Sequence, residues 1–259
     1  MLGIGLGLGL GSPGAAGAWS PLSLSPIGLW NAATLSSLYL ERSSPATLAS
    51  VNGAVGTWQN LGSAGSTADM VAPSDAARPV LKNSGTYYWL EGDGVDDRYV
   101  TSAALSALVT SASSFEICAA IRFLVSANNK ALADSGSGRL TAPRQRNGPD
   151  IARGRIEWDG TQTNNDLTVT VGSDFVYSLR LTGGNVICRV NNGTDTSAAA
   201  GDVNQVTNPL GFFGDTSGGA GSFANARIYA FWIGPVLSSA NRLLLRTWMG
   251  SLCGVSITS

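Results

Sequence analysis

No histidine occurs among the 259 residues of this chain. That absence removes a Ser-His-Asp or Cys-His catalytic machine and every His-containing metal site. Lysine is almost missing as well. Only Lys82 and Lys130 carry ammonium groups, and the rest of the 16 basic residues are arginines, whose planar guanidiniums suit bidentate contacts and interfaces. Glutamate is confined to Glu41, Glu91, Glu116 and Glu157. No Glu-x-Asp-x-Glu run aims an acid and a nucleophile into one cleft at about 5 Å, which leaves an aspartate pair such as Asp93 and Asp97 as the route to a hydrolase. Charged residues make up 13% and the net charge is −1, so nothing electrostatic points to nucleic acid or an anionic membrane. So little charge also predicts that part of the surface is covered by protein, with self-association as a trimer. No run of 18 continuously apolar residues reads as a membrane-spanning helix. The three cysteines, Cys118, Cys188 and Cys253, are odd in number and sit among apolar neighbours. They read as buried free thiols of a chain made in a reducing cytoplasm.

What is present is apolar and patterned. Hydrophobic residues reach 44%, enough to fill the core of one all-β sandwich of this length. From Leu2 to Gly11, Leu or Ile at even positions alternates with glycine. In an extended strand, Leu2, Ile4, Leu6, Leu8 and Leu10 share one face and bare glycine backbone the other, which permits close approach of a neighbouring chain. A docking arm is the expectation, beside a disordered leader or a cleaved secretory signal, although no basic n-region exists. The run lacks the Gly-Lys-Ser/Thr ending of a phosphate loop. Ser12 to Pro26 reads as a linker. Residues 1–26 are therefore taken as arm and linker and 27–259 as the sandwich domain.

Within the domain, short strands alternate with turn residues. Phe115 to Phe123 sends Phe115, Ile117, Ala119, Ile121 and Phe123 one way and Glu116 and Arg122 the other, as a half-buried strand does. Val176 to Leu181 and Val186 to Val190 flank Thr182-Gly183-Gly184-Asn185 and predict a hairpin. Ala226 to Ile233 reads as a central strand. After Pro235, Leu243, Leu244 and Trp248 recur at helical spacing and predict one short amphipathic helix ending near Gly250 or Gly254.

The segment Leu90-Glu91-Gly92-Asp93-Gly94-Val95-Asp96-Asp97-Arg98-Tyr99-Val100 resembles a strand-turn motif of concanavalin A-like, laminin-G-like jelly rolls found in phage and bacterial surface proteins. Leu29-Trp30 with Ser37-Leu38-Tyr39, Val55 to Ser63, Ala76 to Leu81, and Ile228 to Val255 agree with the same family in order. The resemblance implies an all-β jelly-roll sandwich of two antiparallel sheets with a short C-terminal helix and an extended N-terminal arm. It further implies a bacteriophage virion protein, a head decoration, fibre or tail appendage made in the host cytoplasm. Such a protein works by binding, with capsid, portal or tail proteins and host-surface carbohydrate as partners. A carbohydrate-binding module or adhesin outside any virion is the alternative, and a glycan hydrolase the third reading. The fold itself hosts all of these.

Two candidate sites follow. Asp93, Asp96 and Asp97 accept backbone N–H groups in a tight turn, or ligate Ca²⁺, which wants six to eight oxygens. Arg144, Arg146, Asn147 and Asp150 precede Trp158, and together they supply the polar forks and aromatic face that hold a sugar. A solvated loop or a subunit contact is the plainer reading of the same residues.

Overall fold

A computed structural model describes residues 19–109, 114–127, 130–135, 140–145, 151–158 (backbone only at 156–158), 161–201, 208–214, 216 and 223–258. The five apolar residues of the arm, Leu2 to Leu10, lie outside them. Two antiparallel sheets face each other across one core. In the first sheet the order is Thr196–Ala199, Asn185–Val190, Phe175–Thr182, Phe115–Phe123, Asn225–Gly234, Tyr88–Asp93 and Val80–Asn83, with Gly28–Asn31 on the second half of Asn225–Gly234. The second sheet runs Thr161–Thr168, Ile151–Trp158, Leu140–Gln145, Ala133–Asp134, Pro209–Phe212, Tyr99–Ala104, Met70–Val71, Thr57–Trp58 and Leu38–Tyr39, with Lys130–Ala131 beside Leu140–Gln145.

Asn225–Gly234 is central, as its aromatic and β-branched sequence predicts. One of its edges pairs with Phe115–Phe123 along nearly its whole length, and the other is divided between Tyr88–Asp93 and Gly28–Asn31. The register shifts between Ile228 and Ala230, a bulge that bends the strand where its partner changes. The predicted hairpin forms with Thr182 opposite Asn185. Gly183 and Gly184 take φ of 57° and 71°, the two positive values that a two-residue loop of this twist demands.

Phe115–Phe123 departs from the half-buried expectation. Phe115, Ile117, Ala119, Ile121 and Phe123 enter the main core, where Trp30, Phe212 and Phe231 interlock with ring centroids 4.7–6.1 Å apart. Cys118 and Ala120, on the opposite face, are buried as well, because the C-terminal helix Ser239–Cys253 covers them. That helix is capped at Ser238, whose hydroxyl accepts from Asn241 N–H, and ends on Gly254 at φ 78°. Its rotation differs from the expectation. Leu245, Met249 and Cys253 meet the sheet at spacings of four, while Leu243 and Leu244 stay 36% and 44% exposed. The sequence offers two apolar stripes, and in the observed rotation Arg242 pairs with Glu116 of the strand beneath.

Of the segment read as linker, residues 19–26 are described, and they lie on the sandwich. Ser20 caps a 3₁₀ turn at Pro21–Leu24 with Pro21 and Leu24 buried, and Trp19 packs into the cluster beneath the helix. All three cysteines are free and buried, and burial pushes the Cys188 and Cys253 thiols up to about 12. Among the described residues no helix is long and apolar enough to cross a membrane.

Candidate functional site

Antiparallel register carries one row of side chains straight across the second sheet. Val71 faces Val100, which faces Gly211; Gly211 faces Asp134, then Thr141, Arg155 and Asn164 in succession. Register partners share a face, and this is the face away from the core, since Ala152 and Gly154 on the same strand point inward. A Cβ on Gly154 would lie 2.5 Å from the Tyr177 hydroxyl and 2.6 Å from Cys188 Sγ. Two residues along, about 7 Å away at strand spacing, a second row holds Arg144, Arg153 and Asp166 in register. Arg153 donates through Nε and a terminal nitrogen to both Asp166 oxygens, and this pairing raises the arginine above its ordinary pKa. Asp134, 5% exposed, accepts from Thr141 Oγ1 at 2.7 Å.

Three arginines, Arg144, Arg153 and Arg155, thus share the face away from the core with Asp166 and with Asp134 and Thr141, the last two buried. Planar forks held on strands match vicinal hydroxyls and carboxylates of sugars. Of the glycan contacts expected from sequence, Arg144 belongs to this face. Trp158 ends its strand opposite Thr161, and Arg146, Asn147 and Asp150 lie outside the described residues. Arg153, Arg155, Asp134 and Asp166 escape a loop-centred reading because they sit inside strands. The alternation of Arg153-Gly154-Arg155 was the available signal, a period of two with glycine on the inner face.

The acidic segment is a corner between the sheets, since Tyr88–Asp93 belongs to the first and Tyr99–Ala104 to the second. Asp93 Oδ1 accepts from the N–H groups of Val95, Asp96 and Asp97 at 2.7, 3.3 and 3.4 Å, and Asp97 Oδ2 accepts from Asp93 N–H at 3.0 Å. Gly94 turns at φ 78° with Asn225 2.9 Å from where a Cβ would stand. Ligand atoms of Asp93, Asp96 and Asp97 lie within 4.8 Å of one another. Burial, with the Asp93 and Asp96 charges behind it, pushes the Asp97 carboxyl up to about 7. Two of the three carboxylates already serve the turn, and three side chains fall short of the oxygens Ca²⁺ requires.

No protein-family model matches the chain, and no curated protein matches it. Among solved structures it is similar to the sialidase of Trypanosoma rangeli in complex with a difluoro-KDN ligand. The TM-score is 0.53 at 12% identity over 87% of this chain and 33% of the sialidase. It is also similar to a mutant of the protein designated HCR/D, with TM-score 0.55 and 11% identity over 86% of this chain and 51% of that one. The chain therefore spans about a third of the one and half of the other. At such identities the likeness is one of fold, and it agrees with the antiparallel β-sandwich.

Proposed function

We propose that the sandwich is a non-catalytic glycan-binding module, and that a bacteriophage particle displays it through the N-terminal arm that carries Leu2, Ile4, Leu6, Leu8 and Leu10. The observation that carries the binding half is the pair of rows on the second sheet, which places Arg144, Arg153 and Arg155 on one rigid outer face. Of the described carboxylates of that face, Asp166 holds Arg153 from both oxygens, and Asp134 is buried against Thr141. Neither of these two described carboxylates is thus left as a free acid or base for cleaving a glycosidic bond.

The virion half is supported by the resemblance to phage jelly rolls and by the alternating arm, whose backbone could add as a strand to a partner's exposed edge while Leu2 to Leu10 fill pockets. Capsid, portal or tail proteins are the partners that reading supplies, and trimers of this chain the assembly. A free carbohydrate-binding module or adhesin shares the glycan face and needs no such partner. Copurification separates them: the full chain should join assembled particles at fixed stoichiometry, and a chain lacking Met1 to Gly11 should stay folded and fail to attach. Full occupancy by the truncated chain would refute arm docking, and glycan binding with no particle association would leave the free module as the reading.

A further inference from the structure

The apolar residues of the C-terminal helix do not all go beneath it. Leu245, Met249 and Cys253 face the sheet, while Arg242 and Arg246 turn toward Glu116 and toward the Asn191 carbonyl at the end of the hairpin. With about 3.6 residues per turn, Leu244, Trp248 and Leu252 then form a stripe at spacings of four on the flank away from the hairpin. Leu244 is 44% exposed, and Trp248 and Leu252 are partly buried against the cluster below. Arg242 and Arg246 are the only charged residues of the helix, so this flank carries none.

The 3₁₀ turn Pro21–Leu24 lies on that same flank. It touches the helix, and it leads into Gly28–Asn31, which pairs with Asn225–Gly234 on the edge turned away from Phe115–Phe123 and the hairpin. Pro21 and Leu24 are buried, which leaves Leu22 pointing outward at 50% exposure. Trp19 is partly buried against the cluster that also receives Trp248. The turn and the helix flank thus present Leu22, Leu244 and the outer parts of Trp19 and Trp248 as one apolar surface, with no charged side chain from residue 19 to residue 26. A patch of this kind invites association unless something covers it.

We infer that the chain's own arm covers it in the unattached protein, Leu2 to Leu10 lying along the helix flank with the leucine face down and the glycine face toward water. The inference rests on the reading of Leu2 to Leu10 as an extended arm, and it needs no particle. Reach and chemistry single out this occupant. The arm departs from the patch itself, because the described chain begins at Trp19, already packed into the cluster beneath the helix. Gly11 to Ala18 can span up to about 26 Å, the helix is about 22 Å long and Leu2 to Leu10 extended is about 30 Å, so every point of the stripe lies within range. Neither surface has a charged side chain to desolvate. A tether this short sets an effective concentration on the order of millimolar, well above that of a second copy in dilute solution. The helix flank then holds the leucine face until a partner's strand edge competes for it.

Limited proteolysis of the full chain in dilute solution, with a protease that cuts after aliphatic residues, tests this with no particle present. Bonds between Leu2 and Leu10 should be cleaved at least about tenfold more slowly in the unaltered chain than in Leu244→Asp, which puts a carboxylate into the apolar contact at an exposed position. Val95→Asp, at a 70% exposed apolar residue of the corner turn, should leave the protection in place. In a protein carrying both Leu6→Cys and Leu244→Cys, mild oxidation should join the two within one chain. Equal cleavage of the unaltered chain and Leu244→Asp would overturn the contact, and disulfides formed only between chains would overturn its assignment to the chain's own arm. Protection that persists in a chain unable to join particles would remove the virion reading and leave this one standing.

Discussion

Glu116 offers the sharpest single perturbation of the fold. It sits on the strand at the centre of the first sheet, 1% exposed, and accepts from Arg242 Nε at 2.6 Å, from a second Arg242 nitrogen at 3.1 Å and from Leu237 N–H at 3.1 Å. The three bonds fasten the start of the C-terminal helix, and with it the cover over Cys118 and Ala120. Glu116→Leu strands Arg242, whose side chain is 13% exposed, and orphans Leu237 N–H. Removing one partner of a buried pair costs about 3–5 kcal/mol. In a domain of this size that lowers Tm by roughly 6–20 °C. Arg242→Met, which leaves Glu116 buried with its charge, should cost a similar amount. Glu116→Leu with Arg242→Met removes both charges and should cost far less than the sum, giving a coupling of at least about 2 kcal/mol in a double-mutant cycle. Urea denaturation followed by tryptophan fluorescence reads all four proteins. Additive single effects, or singles costing below about 1 kcal/mol, would mean that the pair behaves as a solvated surface bridge and does not fix the helix.

The corner turn predicts a pH dependence. Because burial raises the Asp97 carboxyl from 3.8 to about 7, its contribution is complete below about pH 4 and is lost as pH rises through 7. Asp97→Asn should flatten that fall in a pH series of Tm. Added Ca²⁺ at pH 8 should leave Tm in place if the carboxylates serve the turn alone, and a calcium-dependent rise would make the corner a metal site. Gly154→Val should destabilise by about 1–3 kcal/mol through overpacking against Tyr177, Cys188 and Leu179; an unchanged urea midpoint would refute the close approach. The three thiols should resist a thiol reagent in the native protein and all react in denaturant, and an intramolecular disulfide found under non-reducing denaturation would contradict the free assignment.

Elements whose periodicity and punctuation agree were legible in the sequence. Phe115–Phe123, the hairpin around Gly183-Gly184, the central strand and the capped helix all form where the residues predict. The rotation of the helix was not legible, because Leu243-Leu244-Leu245 gives stripes on more than one face and the partner of Arg242 in the observed rotation, Glu116, lies more than a hundred residues away. Burial of both faces of Phe115–Phe123 escaped for the same reason: the cover is supplied by a distant element. Arg144 was found as part of a loop pattern. Its register with Arg153, and that of Arg155 with Thr141, exist only once strands pair.

If the second sheet's outer face binds glycan without cleaving it, its arginines must carry the affinity. Binding of the full chain to a broad panel of immobilised host-surface polysaccharides, with Arg153→Ala and Arg155→Ala beside it and reducing-end release measured on the same glycans, tests that most directly. Saturable binding by the unaltered chain, a loss of at least about tenfold in each variant, and no release of reducing ends are the expected results. Binding that survives both substitutions, or reducing ends that appear and vanish with Asp93→Asn or Asp97→Asn, would contradict it.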